Sequence, residues 1–177
     1  MADILPDFEY FPNPLRNGCI VKKQGSCLCC NQSRAFMYIG PIYSTNEIEE
    51  VCPWCIADGK AASKWSASFN DVYLATNEVP KDVVETIDRR TPGYETWQGN
   101  KWLFSESDAL IFVGEVVGVK LLNENDPAKI EACRDALSEW NFPPDFDLSN
   151  VVIGGQPAIY LFRDKANGIY KAYADMT

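Results

Sequence analysis

The alternation of apolar and polar positions along the chain predicts short helices and short strands in mixed order. The clearest helix pattern opens at Asp126 and runs to about Trp140. Its apolar residues recur every three or four positions and therefore share one helix face: Ile130, Cys133, Leu137 and Trp140. A second helix is predicted over residues 80–90, where a proline stands at the start and two arginines at the end. A shorter helix is expected over residues 56–65.

Short runs rich in β-branched and aromatic residues predict strands over 19–22, 34–39, 109–113, 158–163 and 169–174. The last two runs flank Asn167-Gly168, a pair that is typical of a tight hairpin turn. Helices and strands that follow one another in this way predict an α+β fold. We expect one domain over residues 1–177, with a small N-terminal part packed on a C-terminal part of mixed helix and β-hairpin.

Composition narrows the possible environments of the protein. The chain has 177 residues, of which 46% are hydrophobic, enough for a packed core. No apolar run is long enough to cross a bilayer, and the first residues lack the pattern of a signal peptide, so we expect a cytosolic protein. The net charge of −9 disfavours nucleic acid and anionic membranes as partners, because both require a basic surface.

The cysteines carry the most specific signal in the sequence. Thiols stay reduced in the cytosol, so metal binding explains seven cysteines better than disulfides do. Two C-x-x-C pairs, Cys27/Cys30 and Cys52/Cys55, are separated by 21 residues. Each pair can form a turn that offers two thiolates to a tetrahedral ion, so the spacing predicts one structural zinc ion within about residues 19–65. Asn31 directly after the first pair can adopt the left-handed conformation that such a turn requires.

Other cysteines leave the ligand assignment open. Cys29 lies inside the first pair and could replace Cys30, and Cys19 is a weaker competitor. Cys133 is expected to be a core residue because it lies on the apolar helix face. A hairpin after the first pair and a helix after the second would resemble a treble-clef zinc finger.

Several kinds of catalysis are disfavoured by what the sequence lacks. The chain has no histidine, which removes the commonest general base and one common zinc ligand. Four cysteines also leave no open coordination position for a catalytic zinc. Two alternatives remain: an enzyme of unknown type with a site in the aromatic loop Tyr94–Trp102, or a thiol-redox protein that uses Cys52-Pro-Trp-Cys55.

Several segments spread along the chain resemble the CbrC family of bacterial proteins. The most specific is Cys52-Pro-Trp-Cys-Ile-Ala-Asp-Gly59, and the others lie at 8–18, 40–44, 91–94, 97–98, 102–103 and 160–163. The resemblance implies tolerance of a nuclease colicin, hence an immunity protein that binds and neutralises a bacterial toxin. It also implies a second Cys/His cluster, but this chain carries other residues at those positions: Ser105, Glu106, Leu110, Asp164 and Asn167. We therefore expect one zinc ion rather than two.

These features favour a non-enzymatic protein that binds a basic partner, such as a toxin domain. An acidic surface accelerates encounter with a basic protein. The candidate contact residues are acidic and lie in two short segments: Glu47, Glu49, Glu50, Glu106 and Asp108.

Overall fold

The computed structural model describes residues 4–177, which form two compact units. The N-terminal unit consists of the residues up to Glu95 together with Gly99–Ala109, and the C-terminal unit consists of Thr96–Gln98 and Leu110–Thr177. The mixture of helices with two small antiparallel sheets confirms the α+β class. The expectation of a single domain stays a prediction. Within the described residues no helix combines the length and the apolar character that a membrane crossing requires.

The first regular elements of the N-terminal unit form an antiparallel hairpin of β1 (Ile20–Ser26) and β2 (Ser33–Tyr38). Three helices follow: α1 (Pro53–Ala57), α2 (Lys60–Trp65) and α3 (Lys81–Arg90). The helix predicted over 56–65 is therefore two helices. They separate at Gly59, whose φ of 75° is left-handed and ends the α-helical path.

Aromatic residues fill the core of this unit. Phe11, Phe69 and Trp102 have no exposed surface, and Tyr94 is 2% exposed. The Trp102 ring lies 6.5 Å from that of Phe11 and 6.0 Å from that of Tyr94, in the tilted geometry that aromatic pairs prefer. Two of the aromatic residues in the predicted loop are thus core residues.

The C-terminal unit holds a three-stranded sheet in the order β3 (Ile111–Glu115), β4 (Ala158–Arg163), β5 (Tyr170–Asp175). Its helices are α4 (Gly118–Glu124), α5 (Pro127–Ser138) and a 3₁₀ turn (Leu148–Asn150). The sheet and α5 share one apolar cluster that includes Cys133, Leu137 and Ile159, as the helical pattern predicted for Cys133. Asp126 caps α5, since its carboxylate accepts hydrogen bonds from the N–H groups of Ala128 and Lys129.

Candidate metal centre

The first C-x-x-C pair lies in the turn between β1 and β2. The Cys27 N–H donates to the Gln32 carbonyl at 3.0 Å, and the Asn31 N–H donates to the Cys27 carbonyl at 2.7 Å. Asn31 has a φ of 56°, so the left-handed residue predicted after the pair is present. The pair therefore lies within the hairpin, whereas the sequence suggested a hairpin after it.

The second pair is placed by the start of α1. Cys52 is the residue before the helix, Pro53 occupies its first turn, and Cys55 lies one turn along, so both sulfurs face the same side. The Cys52 N–H donates to Cys27 Sγ at 3.2 Å. Such N–H···S bonds stabilise thiolate ligands, because they place positive partial charge next to the sulfur.

The four sulfurs converge on one point. Cys27 Sγ lies 3.9 Å from Cys55 Sγ, Cys30 Sγ lies 3.9 Å from Cys52 Sγ, and all four sulfurs are within 4.8 Å of one another. A tetrahedral ion with Zn–S bonds of about 2.3 Å requires S–S separations of about 3.8 Å. The four cysteines are thus arranged to hold a metal ion, and the arrangement is consistent with zinc.

Burial and hydrogen bonding act differently on the four thiols. Burial raises the pKa of Cys52 to about 11, and burial, with smaller contributions from the neighbouring Cys52 and Cys29, also raises the pKa of Cys55. Burial opposes ionisation at Cys30 too, but a backbone hydrogen bond from Gln32 and the neighbouring thiols lower its pKa to about 7. Without a cation, several of these thiols are expected to be neutral, because they lie together in one small volume. A bound divalent ion favours the thiolates instead.

The remaining cysteines do not join the cluster. Cys19 is buried with its Sγ 3.5 Å from the Pro14 carbonyl, and Cys133 is enclosed in the core of the C-terminal unit. Cys29 is half-buried beside the cluster, but its sulfur is not among the four that converge. The geometry thus selects Cys27, Cys30, Cys52 and Cys55 from the alternatives that the sequence left open.

Two features of the centre were not predicted from the sequence. Lys64 on α2 reaches back to the first pair and donates from Nζ to the Leu28 carbonyl at 2.6 Å. The Leu28 N–H donates to the Glu50 carbonyl at 3.0 Å, so the chain just before Cys52 is bonded to the first turn. Both contacts join residues that are far apart in sequence, so no local sequence pattern predicts them.

The acidic candidates differ in their surroundings. Glu47 and Glu49 are exposed, whereas Glu50 is half-buried and forms an ion pair of 2.9 Å with Lys23. Glu106 is exposed. The Asp108 carboxylate accepts a hydrogen bond from the Tyr10 hydroxyl at 2.6 Å and another from the Ala109 N–H at 2.8 Å, so it also stabilises the local fold.

The residues at the positions where the family resemblance implied a second Cys/His cluster have local structural roles. Asp164 accepts from the N–H of Ala166 at 2.7 Å, and Asn167 accepts from the N–H of Ile169 at 2.8 Å, so both shape the turn between β4 and β5. Leu110 is fully buried. Within residues 4–177, the four-cysteine cluster is the group of side chains arranged to hold a metal ion.

An α+β fold with a cluster of four convergent cysteine sulfurs, within residues 4–177, defines the class of this protein. The model of the uncharacterised protein family UPF0167 matches residues 5–176, and the chain belongs to this family. UPF0167 proteins of Mycobacterium bovis and Mycobacterium tuberculosis are each 38% identical over 177 residues, covering 97% of this chain and 93% of theirs. A UPF0167 protein of Pseudomonas aeruginosa is 44% identical over 165 residues, covering 89% of each chain. No solved structure matches the chain.

Proposed function

We propose that this is a non-enzymatic cytosolic protein that holds one structural zinc ion and acts by binding a basic protein partner. The observation that carries the proposal is the closed set of four convergent thiols, three of them buried. Four cysteine ligands complete the tetrahedral coordination of zinc and leave no position for a substrate or a catalytic water. A zinc ion held in this way organises the chain around it. A treble-clef-like arrangement of the site is supported by the strand β2 after the first pair and by the helix α1 at the second pair.

The nature of the partner rests on charge and on the resemblance to the CbrC family. A chain with a net charge of −9 attracts basic surfaces from a distance, and nuclease toxins need a basic surface to hold their substrate. The family resemblance adds tolerance of a nuclease colicin. We therefore assign the protein to the immunity type, in which an acidic protein binds a basic toxin domain and blocks it.

The thiol-redox alternative has less support. A nucleophilic cysteine is exposed and has a lowered pKa. Cys52 and Cys55 are instead 0% and 2% exposed, and burial raises the pKa of both. The pair has the features of metal ligands rather than those of a redox couple.

The test is a kinetic binding experiment with the isolated nuclease domain of a colicin as the probe. We expect association that slows steeply as salt rises, because screening weakens long-range attraction. Glu47→Lys/Glu49→Lys should slow association about tenfold at low salt if the acidic segment faces the partner. Glu50 is left unchanged because reversing its charge would break the ion pair with Lys23.

A matched control separates local contact from overall charge. Glu78→Lys/Glu85→Lys changes two exposed carboxylates of the same unit and shifts the net charge by the same amount. We expect the control to slow association much less than the first pair. An absence of binding, or an association rate independent of salt, would overturn the proposal.

A further inference from the structure

A cavity of about 320 Å³ opens in the N-terminal unit between the β1–β2 hairpin and the segment 42–50. Its base is formed by Met37 and Tyr38, which are 1% and 3% exposed. Three isoleucines form its walls: Ile39, Ile42 and Ile48. We call this cavity the isoleucine groove. Its volume is sufficient for one large side chain, and its lining combines these isoleucines with an about equal share of polar surface.

The rim of the groove is acidic. It carries Lys23, Glu49 and Glu50, and the ion pair between Lys23 and Glu50 neutralises two of these charges. Glu49 remains as an exposed carboxylate at the rim, and Glu47 is a second exposed carboxylate two residues earlier in the same segment. Isoleucine side chains next to exposed carboxylates complement an apolar side chain that has basic neighbours.

The wall of the groove is joined to the metal centre. The Glu50 carbonyl accepts from the Leu28 N–H inside the first cysteine turn, and the Val51 carbonyl accepts from the Tyr38 N–H at 2.9 Å. Glu50 has a φ of 51°, a conformation that a glutamate adopts only when its surroundings hold it. Cys52 follows two residues later, so a metal ion that fixes both cysteine pairs also fixes this wall.

We propose that the isoleucine groove is the docking site for the protein partner, and that it takes an apolar side chain flanked by lysine or arginine. The proposal rests on the proposed function and deepens it, since it names the surface and the chemistry of the segment bound. The apolar side chain packs against Ile39, Ile42 and Ile48, while the flanking cations face Glu47 and Glu49. The metal ion keeps the groove in its binding shape.

Peptide binding followed on isoleucine methyl groups tests the site directly. The probe is an acetylated, amidated pentapeptide with leucine between two pairs of lysines, added to zinc-loaded protein with labelled isoleucine methyls. We expect saturable shifts at Ile39, Ile42 and Ile48. Ile153, which is 67% exposed in the C-terminal unit, serves as the internal control and should not shift.

Two changed peptides separate the apolar contribution from the electrostatic one. Serine in place of leucine should weaken binding at least tenfold, and so should glutamate in place of the lysines. Equal binding of the serine peptide, or shifts outside the groove, would overturn the assignment. If zinc removal by a chelator leaves the peptide shifts at full size, the metal does not shape the groove.

A pair of variants links the groove to the partner. Ile48→Ser should weaken binding of both the leucine peptide and the colicin nuclease domain at least tenfold, while Ile153→Ser should leave both unchanged. If the nuclease domain binds Ile48→Ser normally, the groove is not the docking site for the partner, and the proposed function stands. If the leucine peptide binds the groove and the nuclease domain does not bind at all, the immunity function is wrong, and the groove remains a binding site for an apolar side chain with basic neighbours.

Discussion

The backbone N–H of Cys52 donates a hydrogen bond of 3.2 Å to the sulfur of Cys27, so one cysteine pair supports a ligand of the other. The two pairs are therefore joined through a backbone hydrogen bond in addition to any metal ion that the four sulfurs hold. A change at either residue affects both halves of the site. The centre is expected to assemble and to fail as one unit.

Metal content is the first prediction. We expect elemental analysis of the purified protein to give about one zinc ion per chain, because four thiolates complete one tetrahedral site. Two ions per chain would contradict the single-site interpretation. Protein that contains no zinc, although no chelator was used, would contradict the metal assignment itself.

Removal of a ligand should release the metal and destabilise the protein. Cys52→Ser leaves three thiolates, and because metal affinity at such a site contributes roughly 10–16 kcal/mol to folding, we expect a loss of several kcal/mol in the free energy of unfolding. Cys19→Ala is the matched control, since Cys19 is buried in the same unit but lies outside the cluster. The control should keep its zinc and lose only about 1–3 kcal/mol as a packing defect. Zinc retained by Cys52→Ser would show that another cysteine supplies the ligand.

Alkaline pH should reduce the stability that the Cys133 thiol contributes. Burial raises the pKa of Cys133 from 9.0 to about 12, so the folded protein keeps this proton while the unfolded chain loses it above pH 9. The contribution is complete below pH 9 and is lost as pH rises toward 12. Between pH 8 and about pH 10.5, the stability difference between wild type and Cys133→Ala should shrink by about 2 kcal/mol. Denaturant unfolding of both proteins at each pH measures this difference, and a constant difference would contradict the prediction.

Gly118 is predicted to be essential for the C-terminal unit. A Cβ atom at this position would lie 1.6 Å from the backbone oxygen of Leu148, a clash that no side-chain rotation can relieve. We expect Gly118→Ala to lower the free energy of unfolding by about 3 kcal/mol or more. Gly154→Ala is the control, because a Cβ there meets nothing within 4 Å although its φ of 67° is left-handed. It should cost only about 1 kcal/mol, and equal losses in the two variants would contradict the role of close packing.

The sequence predicted the parts of the structure that depend on local patterns. The cysteine spacing identified the four cysteines that the structure brings together, Asn31 has the expected left-handed φ, and the apolar face of α5 contains Cys133 as expected. The helix α4 was missed because Gly118 and Val119 have low helix propensity and lie at its start. There, packing against the 3₁₀ turn decides the structure, and packing partners are not visible in local sequence.

The acidic segment 47–50 shows the same limit of prediction from local sequence. Its charges suggested an exposed face, yet Glu50 is half-buried, left-handed and paired with Lys23. These properties come from contacts with residues more than 20 positions away, which the order of residues does not reveal. The isoleucine groove was hidden for the same reason, since Lys23 on β1 and the segment 42–50 meet there only in the folded chain.

The position of the metal ligands in the chain has a consequence for how the protein is made. All four cysteines of the centre lie within the first 55 of 177 residues. Chains are synthesised from the N-terminus at about 5–20 residues per second, so Cys55 is translated before the strands of the C-terminal sheet, which begin at Ile111. Zinc can then close the 21-residue loop between Cys30 and Cys52 and remove roughly 3 kcal/mol of chain entropy, as a cross-link of that length would. A metal ion bound at this centre would thus cross-link the nascent chain before the strands of the C-terminal sheet are made.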